Sequence, residues 1–131
     1  MIPSKQKIYL AGPMRGIPEF NFSAFFAAAI QLRKTGAFVF NPAERDVERH
    51  GESTYKGNLT GDIKQAERDA GFNLRVALHD DLSFICLEAD AVAVLPGWQR
   101  SKGACAERAT ALALGLSIIR LTDTGEIDYY E

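Results

Sequence analysis

The run Ala91-Val-Ala-Val-Leu95 consists of five consecutive apolar residues and is ended by Pro96-Gly97. An uninterrupted apolar strand is typical of a parallel sheet that helices cover on both faces, because a strand with one face in water would alternate. Three further β-prone runs, residues 7–11, 37–40 and 117–121, alternate with helical patterns. This order predicts an α/β fold, a flavodoxin- or Rossmann-like three-layer sandwich with a mainly parallel sheet of four to five strands.

Helical patterns fill most of the segments between these strands. Apolar positions 22, 25, 26, 29 and 30 have the spacing of an amphipathic helix, and Gly36 is suited to end it. Asn73 is a suitable N-cap for a second helix, and Ser101 opens a third, alanine-rich helix over residues 101–114. The C-terminal segment, residues 127–131, has no clear assignment.

Residues 43–72 break this pattern. The segment is rich in charge and carries four glycines, which predicts a long loop with one short helix near residues 62–69. A loop of that length in a compact domain is usually functional or mobile. A lid over a binding site and a solvated insertion are both consistent with the sequence.

Length and charge limit the class of protein. The 131 residues suit a single domain, residues 1–131, with a core of its own. A net charge of −2 favours neither nucleic acid nor an anionic membrane as a partner, and no apolar run is long enough to span a bilayer. The first residues lack the apolar segment of a signal peptide, so we expect a cytoplasmic location.

Neither the cysteines nor the histidines form a metal-binding pattern. Cys86 and Cys105 lie in apolar stretches without C-x-x-C spacing, which predicts small buried core residues in a reducing compartment. His50 and His79 are also far apart in the chain. We therefore expect no metal and no cofactor.

The predicted fold locates a ligand site beyond the carboxyl ends of the strands. Three segments meet at this edge, residues 12–16, 41–42 and 96–101. The first of them, Gly12-Pro-Met-Arg15-Gly16, fits neither a dinucleotide-binding pattern nor a P-loop. Arg15 is therefore either a phosphate contact or a solvated loop arginine.

The segment Ser101-Lys-Gly103-Ala-Cys-Ala-Glu107 opens a helix at the same edge. Free backbone N–H groups and the positive end of the helix dipole suit a phosphate, and Gly103 allows a ligand to approach the backbone closely. Glu107 lies one turn beyond Gly103, among small neighbours that leave space above its carboxylate. The alternative is that Ser101 is only an N-cap and Glu107 an ordinary surface residue.

Asp81 interrupts an otherwise apolar helix face formed by positions 74, 78, 82 and 85. A carboxyl group in a core-facing stripe is costly unless it is paired, or raised in pKa and used as an acid. A buried aspartate that a backbone group satisfies is the alternative interpretation.

Three aromatic residues are candidates for ligand contacts. Tyr9 lies near the end of the first strand, where its hydroxyl can reach the crevice. Trp98 and Phe20 have rings suited to stack on a nucleobase. Packing in the core or at the rim is the ordinary use of each residue.

Four segments together resemble a known family. They are Ile-Tyr9-Leu-Ala-Gly-Pro-Met-Arg15-Gly, His-Asp-Asp81-Leu, Ala-Asp90-Ala-Val-Ala-Val and Ser101-x-Gly103-x-x-x-Glu107. The chain resembles the nucleoside 2-deoxyribosyltransferases, and more closely the related 2′-deoxynucleoside 5′-monophosphate N-glycosidases. The resemblance spans most of the chain in order, but residues 43–72 and the last ten residues match nothing specific.

The resemblance implies a role for each residue of the catalytic set. Glu107 would be the nucleophile that attacks C1′ of the sugar, Asp81 the general acid and base for the departing base, and Tyr9 a residue that orients the nucleophile. The implied substrate-binding residues are Gly12, Arg15, Gly16, Trp98, Ser101 and Gly103. Ser101 stands where the nucleoside transferases typically have an aspartate that contacts the 5′-hydroxyl, so its turn and Arg15 favour a 5′-phosphate.

The implied function is cleavage or exchange of the N-glycosidic bond of a (deoxy)nucleoside 5′-monophosphate through a covalent glycosyl-glutamate intermediate. One alternative is a nucleoside 2-deoxyribosyltransferase that acts on unphosphorylated nucleosides. Another is a nucleotide-binding sensor without catalysis. The relatives commonly form dimers, so we also expect a homodimer or higher homo-oligomer.

Overall fold

The computed structural model describes residues 5–130, and its centre is one five-stranded sheet in the order β2-β1-β3-β4-β5. The strands are β1 (Lys7–Ala11), β2 (Phe38–Phe40), β3 (Ala91–Val94), β4 (Ser117–Leu121) and β5 (Ile127–Tyr130). The first four strands run parallel, and β5 pairs antiparallel with β4 at the edge. The predicted α/β fold with a mainly parallel sheet is confirmed, and the unassigned C-terminal segment supplies the fifth strand.

Helices cover both faces of the sheet. They are α1 (Phe22–Arg33), α2 (Pro42–His50), α3 (Ile63–Ala70), α4 (Leu74–Leu87) and α5 (Lys102–Ala113). Alternate residues of β1 divide between two cores: Ile8 and Leu10 pack with α1, whereas Tyr9 and Ala11 pack with α4 and α5. All four residues of β3 are buried, as expected for a central strand in a three-layer sandwich.

Local signals predicted the helix ends well. The side chains of Asn73 and Ser101 each accept a hydrogen bond from a backbone N–H in the first turn of α4 and α5. Gly36 follows α1 with a φ of 89°, in the left-handed region that favours glycine. Within α1 the predicted face is only partly correct, because Phe22 and Phe25 are buried but Ile30 is 57% exposed.

The prediction of a long loop over residues 43–72 is wrong in its first part, where residues Pro42–His50 form α2. This helix is strongly polar, so hydrophobic periodicity did not reveal it. Its N-terminus has a recognisable signal, since the Asn41 side chain accepts from the Ala43 N–H and Pro42 occupies the first turn. The short helix expected near residues 62–69 is confirmed as α3.

The turn between α2 and α3 is joined to the loop after β1 by backbone hydrogen bonds. The Gly16 N–H donates to the Gly61 carbonyl at 3.0 Å, and the Glu19 N–H donates to the Asn58 carbonyl at 2.7 Å. A Cβ at Gly61 would lie 2.4 Å from the Ile17 carbonyl oxygen, so only glycine permits this approach. These contacts hold the middle of residues 43–72 against the β1–α1 loop, and both interpretations of this segment, a lid and a solvated insertion, stay predictions.

The prediction that both cysteines are buried core residues is wrong. Cys86 is exposed on α4, and Cys105 is only partly buried on α5, where its thiol lies 3.6 Å from the Trp98 carbonyl oxygen. Their apolar neighbours in sequence therefore belong to other faces of the helices. Over residues 5–130, no helix combines the length and apolar character needed to cross a bilayer, and no group of three or more metal-ligating side chains occurs.

Candidate active site

A cavity of about 480 Å³ opens at the carboxyl edge of the sheet, within the size range of small-molecule sites. The three segments expected to meet at this edge all contribute to its wall. They are represented by Gly12 to Ile17 of the loop after β1, by Pro42, and by Arg100 to Ala104 at the start of α5. The first turns of α4 form the facing wall.

Tyr9 and Glu107 form a buried pair at the floor of this cavity. The Tyr9 hydroxyl donates a hydrogen bond of 2.7 Å to Oε2 of Glu107. Tyr9 is fully buried and Glu107 is 6% exposed, yet both line the cavity. Burial and the nearby Glu107 carboxyl raise the pKa of Tyr9 well above its ordinary value, so the phenol keeps its proton and remains a donor.

Asp81 lies beside this pair, and burial raises the pKa of both carboxyl groups. The pKa of Asp81 rises from 3.8 to about 7 because the site removes it from water, and its interaction with the Tyr9 hydroxyl opposes the rise. Burial raises the pKa of Glu107 as well, and the charge of Asp81 raises it further. Carboxyl groups coupled in this way titrate as a pair, which holds at least one proton near neutral pH.

The apolar face of α4 that Asp81 interrupts lies against the cavity as well as the core. Leu74 and Leu78 line the cavity together with Asp81, and Ile85, two turns further on, is buried in the core. The carboxyl group of Asp81 therefore stands at the junction of the core and the cavity. This placement explains how a carboxyl group is tolerated on a face that is otherwise apolar.

Asp46 is a third carboxyl group of the cavity, and the sequence analysis missed it. It lies on α2, is 8% exposed and lines the cavity. Burial, together with the Asp81 carboxyl, raises the pKa of Asp46 from 3.8 to about 7, although Arg49 and Arg45 oppose the rise. No sequence signal marked this residue, because α2 is rich in charged side chains and its buried side is set by its contacts.

One end of the cavity, at the start of α5, carries groups suited to an anion. Ser101 caps α5, with its Oγ accepting from the Ala104 N–H at 3.1 Å, and Arg100 and Lys102 line the cavity beside it. A Cβ at Gly103 would meet no heavy atom closer than 4.0 Å, so the backbone is open to a ligand there. Free N–H groups and the helix dipole favour a negative charge at this point.

The loop after β1 forms the side of this anion-suited end. Arg15 and Gly16 are exposed and line the cavity, and Arg15 makes no ion pair with any residue in the range 5–130. Gly16 has a φ of 83°, which other residues rarely adopt. Gly12 permits close packing, since a Cβ there would lie 2.9 Å from Cβ of Leu95.

The two aromatic residues considered for stacking differ in position. Phe20 lines the cavity, carried there by a turn in which Glu19, Phe20 and Asn21 all have positive φ. Trp98 is not among the cavity-lining residues, and the guanidinium carbon of Arg108 lies 4.5 Å from the centre of its ring. The structure therefore places Phe20, and not Trp98, in the lining of the cavity.

Comparison with known families adds one match. Residues 6–120 match the family model described as "Domain of unknown function (DUF4406)". The chain belongs to the DUF4406 family. The match to DUF4406 includes Tyr9, Asp81 and Glu107, so the whole cavity floor lies within the family domain. A comparison with the curated proteins finds no match.

Proposed function

We propose that this DUF4406 protein cleaves or exchanges the N-glycosidic bond of a (deoxy)nucleoside 5′-monophosphate. The observation that carries the proposal is the buried contact between Tyr9 and Glu107, with a second carboxyl group, Asp81, coupled to it inside one cavity. Retaining and inverting glycosidases both use two carboxyl groups that face a common space, and the direct interaction between Asp81 and Glu107 supports the short separation of a retaining enzyme. The DUF4406 family is also associated with nucleoside deoxyribosyltransferase-like proteins.

In the first step, the Glu107 carboxylate attacks C1′ of the sugar while the bond from C1′ to the base nitrogen breaks. Asp81 transfers its proton to the departing base, and a glycosyl ester forms on Glu107. In the second step, Asp81 takes a proton from water, which attacks C1′ and releases Glu107. An incoming base in place of water makes the same intermediate the start of a transfer reaction.

The reactive form has the shared proton on Asp81 and a negative charge on Glu107. The interaction between the carboxyl groups lowers the pKa of Asp81 and raises that of Glu107, which favours the opposite arrangement. The Tyr9 hydroxyl donates to Glu107 and stabilises its carboxylate, and it lowers the pKa of Asp81 as well. Positive charge that develops at C1′ in the transition state stabilises the Glu107 carboxylate further, so the substrate itself favours the reactive form.

The anion-suited end supports a phosphorylated substrate over a free nucleoside. Ser101 offers the open N-terminus of α5, and Arg15, Arg100 and Lys102 add positive charge around it. Arginine and helix N-termini are common phosphate-binding elements. A free nucleoside would leave these groups without a partner of opposite charge.

The experiment is incubation of the protein with ribo- and deoxynucleosides and with their 5′-monophosphates, with free base followed by chromatography. We expect base release from monophosphates and much less from nucleosides. Glu107→Gln keeps an acceptor for Tyr9 but removes the nucleophile, and we expect it to abolish release. Base release that is unchanged in Glu107→Gln, or release from nucleosides alone, contradicts the proposal.

A further inference from the structure

The Asp46 carboxyl group has no assigned task in the reaction described above, although it is more than nine-tenths buried and lines the cavity. Across residues 5–130 its side chain takes part in no hydrogen bond and no ion pair; only its backbone carbonyl accepts, from Thr54. The nearby arginines are held elsewhere, since Arg45 and Arg49 both pair with Asp80. Its carboxyl oxygens are reached from the cavity and have no partner in the described part of the chain, which points to a ligand that supplies one.

The position of Asp46 identifies the part of the ligand it faces. Arg45 and Arg49 of α2 form ion pairs with Asp80 of α4, which holds this part of α2 against α4 next to Asp81. The Asp81 carboxyl accordingly raises the pKa of Asp46. Since Asp81 must lie beside the base to protonate it, the neighbouring Asp46 carboxyl faces the base.

The apolar part of the cavity lining fits a flat heterocycle. Leu74, Ala77, Leu78, Ile63 and Phe72 line the cavity and come from the beginnings of α3 and α4 and the turn between them. These apolar side chains suit the faces of a base ring, and they offer no hydrogen bond to its edge. Asp46 is then a polar group that can form a hydrogen bond with that edge.

We propose that Asp46 determines base specificity by accepting a hydrogen bond from an exocyclic amino group of the nucleobase. An aspartate accepts well from an amino group, as in recognition of the amino group of cytosine. A carbonyl at the same position presents a second acceptor to the carboxylate, which leaves both groups unsatisfied and repelling. The favoured substrates are therefore monophosphates of amino-bearing bases, such as cytosine and adenine, over their oxo counterparts. This inference rests on the proposed function.

Loss of a hydrogen bond to a charged group lowers the affinity for the oxo base, relative to the amino base, by roughly tenfold to a hundredfold. In Asp46→Asn, the amide side chain keeps the size of the carboxyl group and can donate to a carbonyl. The preference for amino over oxo bases should fall by about tenfold or more. In Asp46→Ala, the amino base loses its acceptor and the oxo base loses the repulsion, so the preference should approach one.

The test separates recognition from reactivity. Dissociation constants of dCMP and dUMP, and of dAMP and dIMP, are measured calorimetrically for Glu107→Gln, alone and combined with Asp46→Asn or Asp46→Ala. The measurements are made at pH 8, above the pKa of about 7 of the Asp46 carboxyl, which Asp81, Asp80, Arg45 and Arg49 surround. Asp69→Asn, on the exposed side of α3, is the matched control. Unfolding midpoints verify that each variant is folded.

Failure of the Asp46 assignment and failure of the proposed function give different results. If Glu107→Gln binds amino and oxo nucleotides equally, or if its preference is the same with Asp46→Asn, the assignment of Asp46 is wrong. If the unsubstituted protein releases base from none of these nucleotides, the proposed reaction is wrong. A preference for dCMP and dAMP that falls with Asp46→Asn but not with Asp69→Asn supports the inference.

Discussion

The Tyr9 hydroxyl lies 2.7 Å from Oε2 of Glu107, although 98 positions separate the two residues in the chain. Tyr9 belongs to the central part of the sheet, and Glu107 to the helix that covers it. The rigid sheet thus holds the donor, and the helix presents the carboxyl group to it. This contact joins the core of the fold to the proposed chemistry.

Tyr9→Phe should lower kcat/KM for base release by roughly tenfold to a hundredfold, the value of a hydrogen bond to a charged group. Because Tyr9 lowers the pKa of Glu107, its loss raises that pKa, and the acidic limb of the pH–rate profile should move to higher pH. The measurement is kcat/KM against pH. Tyr129→Phe, at an exposed position on β5, should leave the profile in place. An unmoved acidic limb in Tyr9→Phe would show that this hydroxyl does not support the nucleophile.

Asp81→Asn should reduce base release from natural nucleotides strongly, by about a hundredfold or more, because an amide cannot transfer a proton to the base. A nucleotide analogue whose leaving group needs no proton should lose much less activity. Both rates are measured in the same variant, with Asp123→Asn at the exposed β4–β5 turn as the control. Equal losses for both substrates, or an intact rate with the natural base, would argue against an acid role.

The buried carboxyl groups predict that the protein is less stable at pH 8 than at pH 5. The folded-state pKa of Asp46 is about 7 against 3.8 for an unperturbed carboxyl, so the folded state binds more protons across that window. Stability therefore falls as pH rises from about 4 to 7, and this one group contributes on the order of 4 kcal/mol over the whole window.

Urea unfolding at both pH values measures this effect. Asp46→Asn, which does not titrate, should lose less stability between pH 5 and pH 8 than the unsubstituted protein, by roughly 2–3 kcal/mol. Asp69→Asn should behave like the unsubstituted protein. If Asp46→Asn shows an unchanged pH dependence, the burial of this carboxyl group does not influence folding.

Ser101→Asp should change the preference between phosphorylated and unphosphorylated substrates. Aspartate still caps α5, but its charge repels a 5′-phosphate, so kcat/KM for monophosphates should fall by about a hundredfold while that for nucleosides falls less. Ser101→Asn caps the helix without adding charge and is the matched control. If both variants affect the two substrate classes alike, the phosphate does not bind at this helix terminus.

Two glycines of the cavity should respond differently to alanine. In Gly12→Ala the new Cβ would lie 2.9 Å from Cβ of Leu95, and we expect a loss of about 1–3 kcal/mol in unfolding free energy. In Gly103→Ala the new Cβ has open space within a helix, so stability should be kept or raised by about 0.5–1 kcal/mol. Nucleotide affinity should nevertheless fall in Gly103→Ala, since the methyl group occupies space that the phosphate needs to reach the backbone of α5. Thermal unfolding and calorimetry test both expectations.

The strongest local patterns predicted the fold because each depends on a few neighbouring residues. The bounds of β1 and β4 agree with the observed strands, and the caps at Asn73 and Ser101 form as expected. By contrast, α2 has little apolar periodicity, and only the Asn41-Pro42 signal at its start marked it. Because the sequence did not predict α2, it also did not predict that Asp46 lines the cavity.

For the site, the order of the residues shows which chemical groups are available and which edge of the sheet receives them, because strand direction and helix starts are encoded locally. The packing of the helices on the sheet establishes which of these groups meet. It joins Tyr9 to Glu107, brings Asp46 near Asp81 and leaves Trp98 outside the cavity lining. Such contacts depend on how separate helices pack on the sheet, and no short stretch of sequence contains that information.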